Sequence, residues 1–310
     1  MAPTSPVFSV LFVLFFLAIT VTYRVFNSKH HGVVSSVTLY HPPQLVLKKK
    51  YEVKKQALVG IYGVLARSFI ETNGSIHRHI IVPLVESGYD VDVYIFDVVV
   101  DGFVDGVSVN RNTTMSSVRQ FHPNVVYEQM DSVRVDDHVK KMCGTVSACS
   151  FRYDAEENNP TLTANAFRQL YSENQVALHA SRHKKRYDVV VATCADNYFV
   201  QNISLVDVER AQSKSVLVLL TQLNEGEGYT NGFVIGGLKA FTAVMSRFDH
   251  YARYAHLKRD YERVLLEAVI QNNLLRQVTE MPFCKIRANK VVWAGPGFPP
   301  LLRPMCDQRW

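Results

Sequence analysis

The chain has 310 residues, 47% hydrophobic and 20% charged, with no low-complexity tract; this is the composition of a globular protein able to bury one large core or two modest ones. Its formal charge of +6 is mild for this length and reads as an ordinary solvated surface. It argues against the dense basic footprint of a nucleic-acid-binding protein, and no nucleic-acid partner is expected.

In chain order, a tail of residues 1–5 precedes the stretch Pro6 to Tyr23, 18 positions with no charged side chain. As a helix it would be roughly 27 Å long at ~1.5 Å per residue, enough to cross a thin early-secretory bilayer. No basic residue precedes it and no A-x-A-like site follows, so an uncleaved signal-anchor is expected in preference to a cleaved signal peptide. Topology signals conflict. Arg24, Lys29 and Lys48 to Lys50 follow the span, which the positive-inside rule places in the cytosol. Three acceptor sequons, at Asn73, Asn112 and Asn202, point instead to the lumen. Cys143 and Cys149 bracket a short loop, and Cys284 and Cys306 lie near the C-terminus, with Cys194 as the odd one; two bridges fit an oxidising lumen, and five unpaired thiols fit the cytosol. A single-pass type II protein of the Golgi or endoplasmic reticulum, with a lumenal domain, is the expected arrangement.

Residues 24–55, with paired histidines, Pro-Pro and "KKKYEVKK", hold neither helical nor strand periodicity and read as a stem. Residues 56–310 form the remaining domain. "ALVGIYGVLA" has the length of a strand, and "SIHRHIIVPLVES" places Ile76, Ile80, Ile81, Leu84 and Val85 at helical spacing. Ser75 is its expected N-cap and Gly88 its expected C-cap. "DVDVYIFDVVV" returns to strand, completing a strand–helix–strand unit. "TLTANAFRQLYSENQVALHAS" predicts a helix, while "YDVVVAT" and "SVLVLL" predict buried strands. "GGLKAFTAVMSRF" and "RDYERVLLEAVIQNNLL" predict helices, and "KVVWAG" a late strand. Helices alternating with apolar strands give an α/β class: a mainly parallel mixed sheet with flanking helices, Rossmann-like, preceded by one transmembrane helix.

Ligands of open α/β sheets bind beyond the carboxyl ends of the strands. At the first such end, Gly60 and Gly63 permit close backbone approach, and Arg67 can fork onto a diphosphate; a purely structural arginine is the alternative. At the second, "YDVVVATCADNYF" ends an apolar run on Asp196 and Asn197. Asp196 there is placed to hold Mg²⁺ or Mn²⁺ with substrate phosphates; the alternative is a simple Asp-Asn turn. The third stretch, "NEGEGYTNGFVIGG", sets acids, glycines and aromatics in an expected loop, where Glu225 or Glu227 can act as general base toward an acceptor hydroxyl.

The order of "GVLARSF" (Gly63 to Phe69), "YDVVVATCADNYF", "GYTNGFVIGG" and "MSRF" (Met245 to Phe248), with "DYERVLLEAV" and "FCKIRANK" after them, resembles that of membrane-anchored, nucleotide-sugar-dependent glycosyltransferases of the GT-A fold. The resemblance is to a family of algal, fungal and viral proteins and spans roughly Ala57 to Lys290. It implies a nucleotide-sugar donor at Gly63, Arg67, Asp196, Asn197, Asn231 and Gly232, Mn²⁺ or Mg²⁺ on Asp196, and a glycan or glycoprotein acceptor. Two departures stand out. Cys194-Ala195 replaces a common Arg-Pro, and Asn231 stands where an Asp is usual; an amide cannot take a proton, so Glu225 or Glu227 must supply the base or turnover is weakened. The expected function is therefore sugar transfer in the secretory pathway. A catalytically inactive lumenal glycan-binding or scaffold protein is the alternative, and another α/β enzyme with a nucleotide or phosphate ligand the third reading.

Overall fold

The apolar run after the stem forms β1, Lys55–Gly63, in which every residue from Ala57 to Tyr62 is buried. Alternate side chains enter two separate cores: Leu58 and Tyr62 face one, Ala57, Val59 and Ile61 the other. The computed structural model describes residues 54–100, 102–104, 106–108, 111–144, 160–183, 187–220, 229–254, 261–279, 281–294 and 306. All belong to one unit, Glu52–Trp310. The expected tail, the span 6–23, nearly all of the stem, and the acidic part of the third stretch, including Glu225 and Glu227, lie outside the described residues. Among the described residues, no helix is long and apolar enough to cross a membrane.

From β1 the chain enters a single 3₁₀ turn, Leu65–Arg67, and then α1, Phe69–Ile76, a π-helical turn, His77–Ile81, and α2, Val82–Glu86, before returning as β2, Tyr89–Val99, parallel to β1. The expected strand–helix–strand unit is present, with one correction. Ser75 is not a cap. The helix starts earlier, because Phe69, Thr72 and Ile76 already form its buried stripe. Inside it the Ser75 hydroxyl donates to the Thr72 carbonyl (2.8 Å) and accepts from the Phe199 amide (3.1 Å). Pro83 falls in the first turn of α2, where its missing N–H is tolerated, and Gly88 closes the helix with φ +92°.

The remaining elements are β3, Phe103–Val104; β4, Val107–Ser108; α3, Arg111–Phe121; β5, Val125–Asp131; α4, Ser132–Gly144; α5, Pro160–Arg182; β6, Val189–Cys194; β7, Asn197–Phe199; α6, Leu205–Ala211; β8, Val216–Leu220; β9, Thr230–Gly236; α7, Leu238–Met245; α8, Tyr261–Gln271; β10, Leu275–Thr279; β11, Phe283–Ile286; and β12, Val292–Ala294. Seven strands form one sheet in the order β10-β8-β9-β6-β1-β2-β5. Only β9 runs against its neighbours, so the sheet is mixed but mainly parallel. Residues 230–236 therefore correct the expected loop: they are a central strand. The glycines that suggested a turn serve close packing instead, since a Cβ on Gly236 would lie 2.8 Å from Leu217 Cδ1. A second, antiparallel sheet, β12-β11-β7, stands beyond the end of β6 and carries residues of the site.

One contact beneath the sheet joins three elements. Glu173 on α5 and Arg247, just after α7, form an ion pair with both side chains at 0% exposure. Tyr62 at the end of β1 donates to the same glutamate (3.2 Å), as does the Gln169 amide (3.1 Å). Removing one member of a buried pair strands the other charge at a cost of about 3–5 kcal/mol. Urea denaturation of Arg247→Met or Glu173→Gln is therefore expected to show a loss of that size, with the double variant losing less than the two single losses together. Single variants as stable as the parent would contradict the role given to the pair.

Candidate functional site

The strand ends expected to carry ligand-binding groups open on one cleft of about 420 Å³, within the range of small-molecule sites. Tyr62 and Gly63 come from the end of β1, Val98 from β2, and Cys194 to Asp196 from β6. Asn165, Arg168 and Gln169 of α5 form a second wall, Glu262 from the first turn of α8 a third, and Lys285 and Arg287 of the second sheet a fourth.

Asp196 is fixed through its backbone on three sides. The Ala195 amide donates to the Tyr62 carbonyl (2.9 Å), the Thr72 hydroxyl donates to the Ala195 carbonyl (2.6 Å), and the Ile286 amide donates to the Asp196 carbonyl (2.9 Å). Its side chain is almost wholly enclosed, and Oδ2 accepts from Arg287 Nη1 at 3.1 Å with Arg67 Nη1 at 3.7 Å. Arg67 is placed by the 3₁₀ turn, and that turn is anchored by Asp97 at the end of β2. The Asp97 carboxylate accepts the Leu65 amide (3.0 Å) on one oxygen and the Tyr127 hydroxyl (2.9 Å) on the other. Gly63 precedes the turn at φ +118°, with nothing within 4 Å of where a Cβ would stand; the conformation, rather than crowding, requires glycine there. Gly60 has a different role from the one expected. A Cβ there would lie 2.3 Å from Val176 Cγ1, so the backbone it exposes meets α5 and not a ligand.

The fourth wall follows from strand alternation. In β11, Cys284 and Ile286 are buried while Lys285 between them lines the cleft, and Arg287, just past the strand's end, lines it too. The Arg287 amide donates to the Val291 carbonyl and its carbonyl accepts the Lys290 amide, both at 2.9 Å, which closes a tight hairpin to β12. Two further ties hold this sheet: the Cys284–Cys306 disulfide, which joins β11 to the C-terminal segment, and an ion pair between Lys290 and Glu71 of α1. Cys149 and the Cys143 side chain lie outside the described residues.

Of the residues expected in the donor site, Gly63, Arg67 and Asp196 line the cleft together. Asn197 is fully buried, and its amide donates to the Thr193 hydroxyl (3.2 Å) and the Gly232 carbonyl (2.8 Å), fastening β7 to β9. Gly232 is that acceptor, packed against the Asn197 amide and the Cys194 sulfur. Asn231 belongs to β9, but its side chain, like Glu225 and Glu227, is outside what is described. Lys285, Arg287, Gln169 and Glu262 were missed by sequence reasoning. The only signal for the first two was two basic residues at alternate positions of "FCKIRANK".

The expected metal at Asp196 does not fit the described residues. The carboxylate already faces two guanidinium groups, and among the described residues no cluster of three or more His, Cys, Asp or Glu side chains is placed to hold a cation. The described cleft presents four cationic side chains, Arg67, Arg168, Lys285 and Arg287, and two carboxylates, Asp196 and Glu262; Arg168 is neutralised by Asp136 at 2.6 Å. Hard cations seek oxygen-rich, anionic sites, and this lining suits an anion.

No family model and no curated protein matches the chain. Among solved structures, mouse xyloside xylosyltransferase 1 in its apo form aligns with TM-score 0.41 and 10% identity over 74% of this chain and 86% of that one. The galactosyltransferase LgtC, in complex with donor and acceptor sugar analogues, aligns with TM-score 0.41 and 10% identity over 71% of this chain and 72% of that one. The functional reading rests on the cleft itself.

Cys194 borders the cleft as an inert wall. Burial pushes its thiol from 9.0 up to about 12, partly opposed by the positive charge of Lys285. Tyr89, on β2, is pushed up to about 12 by burial as well. For both groups the folded pKa exceeds the unfolded one, so their stabilising effect is complete below pH 9 and is lost as pH rises toward about 12. Denaturation midpoints are expected to fall across that window, and to fall less steeply just above pH 9 in Cys194→Ala. An identical slope in the variant would refute the assignment.

Proposed function

We propose that this chain is a glycosyltransferase that moves a sugar from a nucleotide-diphosphate donor to a hydroxyl of a glycan or glycoprotein. The observation that supports it most is the meeting of Arg67 and Asp196, 129 positions apart in sequence, on one small-molecule cleft at the carboxyl ends of β1 and β6. The motif order described above points to the same chemistry. In this reading the cations of the cleft take the donor's diphosphate and stabilise the negative charge that grows on it as the glycosidic bond breaks. Asp196 keeps Arg67 and Arg287 aimed at that position. Gln169, a neutral donor and acceptor on the cleft wall, suits a sugar hydroxyl. The base that accepts the acceptor's proton is assigned to Glu227 or Glu225, with Glu262 the carboxylate that the described cleft itself offers.

A second reading, a glycan-binding or scaffold protein without turnover, is favoured by one specific feature: Asn231 is an amide where the resembled family has an acid. Donor hydrolysis separates the two. A panel of UDP- and GDP-sugars incubated with the chain is expected to show hydrolysis or transfer with at least one donor, reduced about 10²-fold or more in Asp196→Ala and in Arg67→Ala, because misplacing a binding group costs that much. Binding without hydrolysis across the panel would favour the binder. Full turnover in both variants would refute the site.

The lumenal, single-pass type II placement in the Golgi or endoplasmic reticulum is part of the proposal, supported by the uncharged stretch Pro6 to Tyr23 and by the Cys284–Cys306 disulfide. The sequons differ in suitability. Ser75, the hydroxyl of the first, is buried within α1, whereas Asn202 and Ser204 are exposed just before α6. Expressed in the secretory pathway, the chain is expected to lose a glycosidase-sensitive mass in Asn202→Gln and to keep it in Asn73→Gln. Absence of any glycosidase-sensitive mass would count against the lumenal placement.

A further inference from the structure

We propose that the cleft grips a diphosphate through three cations, Arg67, Lys285 and Arg287, with no bridging divalent ion. The proposal deepens the donor-site reading above and rests on it for the nucleoside, while the phosphate chemistry stands on the side chains themselves.

Three observations carry it. First, the carboxylate at the end of β6 already faces two cations: Asp196 Oδ2 lies 3.1 Å from Arg287 Nη1 and 3.7 Å from Arg67 Nη1. A divalent ion bound to that oxygen would sit within a few ångströms of two fixed positive charges, in an enclosed setting where such repulsion is weakly screened. Second, both arginines line the cleft and neither is sealed: their side chains are 23% and 37% exposed, against 9% for Asp196. Guanidinium forks match the spacing of phosphate oxygens and bind them in pairs. Third, Lys285 in β11 and Arg287, one residue past the strand's end, lie two positions apart in the chain and both line the cleft, no more than about 7 Å apart by the reach of the backbone. That spacing lets the ammonium and the guanidinium reach neighbouring phosphate groups of one diphosphate, with Arg67 opposing them from the 3₁₀ turn.

The ties on β11 gain a purpose from this. The hairpin bonds of Arg287, the Cys284–Cys306 disulfide and the Lys290–Glu71 pair hold the segment that carries Lys285 and Arg287, two of the three cations of the grip. A rigid cationic cradle does what a metal does in other phosphate sites: it neutralises charge at a fixed point without reorganising.

Calorimetric titration of the full-length chain with UDP, GDP and inorganic pyrophosphate, each in EDTA and in Mn²⁺, tests it. At least one nucleoside diphosphate is expected to bind in EDTA with a Kd within about threefold of that in Mn²⁺, weakening as salt is raised. Lys285→Gln and Arg287→Gln are each expected to weaken binding in EDTA by about tenfold or more, with unchanged melting temperatures. Binding that requires Mn²⁺ would overturn the grip and leave the donor-site reading standing, as would wild-type affinity in both variants. Pyrophosphate bound in EDTA more tightly than either nucleotide would support the grip and overturn the nucleotide donor. No binding by any of the three ligands, with or without Mn²⁺, would overturn both.

Discussion

Two guanidinium groups share one carboxylate oxygen at the end of β6, and the organisation of the molecule around its cleft follows from that arrangement. Arg67 arrives from the turn after β1, Asp196 from the turn after β6, and Arg287 from a small sheet late in the chain. Each is positioned by backbone hydrogen bonds rather than by side-chain contacts alone, so the cluster is a property of the fold. Partly exposed ion pairs add little to stability. Their value lies in orientation: one carboxylate holds two arginines at the cleft with a lysine in the same lining, where cationic side chains outnumber carboxylates among the described residues.

Beneath the cleft the chain takes a costlier measure. Glu173 and Arg247 are wholly buried, and enclosing two charges is compensated only when geometry and added hydrogen bonds are good. Here Tyr62 and Gln169 supply those bonds, and both also line the cleft. The pair thus fixes the relative positions of β1, α5 and the end of α7 at the level where the ligand is proposed to sit. It accounts structurally for the arginine of "MSRF" without giving it any contact with substrate.

Much of this was legible from residues alone. The β1–α1–β2 unit, the buried strands β6 and β8, the long helix α5 and the pairing of Arg67 with Asp196 at one rim all follow from apolar periodicity and from the rule that ligands gather at strand ends. What escaped did so for identifiable reasons. The strand β9 carries Gly232 and Gly236, whose usual meaning is a turn; only the tertiary contacts with Asn197 and Leu217 reveal that the glycines admit close neighbours. β10 and β11 are short and mixed in polarity, too brief for a period of two to stand out, so Lys285 and Arg287 were noted only within the closing "FCKIRANK" motif and given no role. Asn197 was assigned to the ligand through the family resemblance, yet strand alternation turns its amide into the protein to hold β9. A carboxylate at a strand end signals a ligand site, but whether it faces a metal or a pair of arginines depends on segments far away in sequence, and no local pattern contains that information.

The most direct measurement is a crystal structure of the chain grown with UDP and Mn²⁺ and recorded at the manganese absorption edge. The account predicts diphosphate oxygens within hydrogen-bond distance of Arg67, Lys285 and Arg287, and no anomalous peak against the Asp196 carboxylate. A manganese peak bridging Asp196 and the diphosphate, with the arginines displaced, would contradict it.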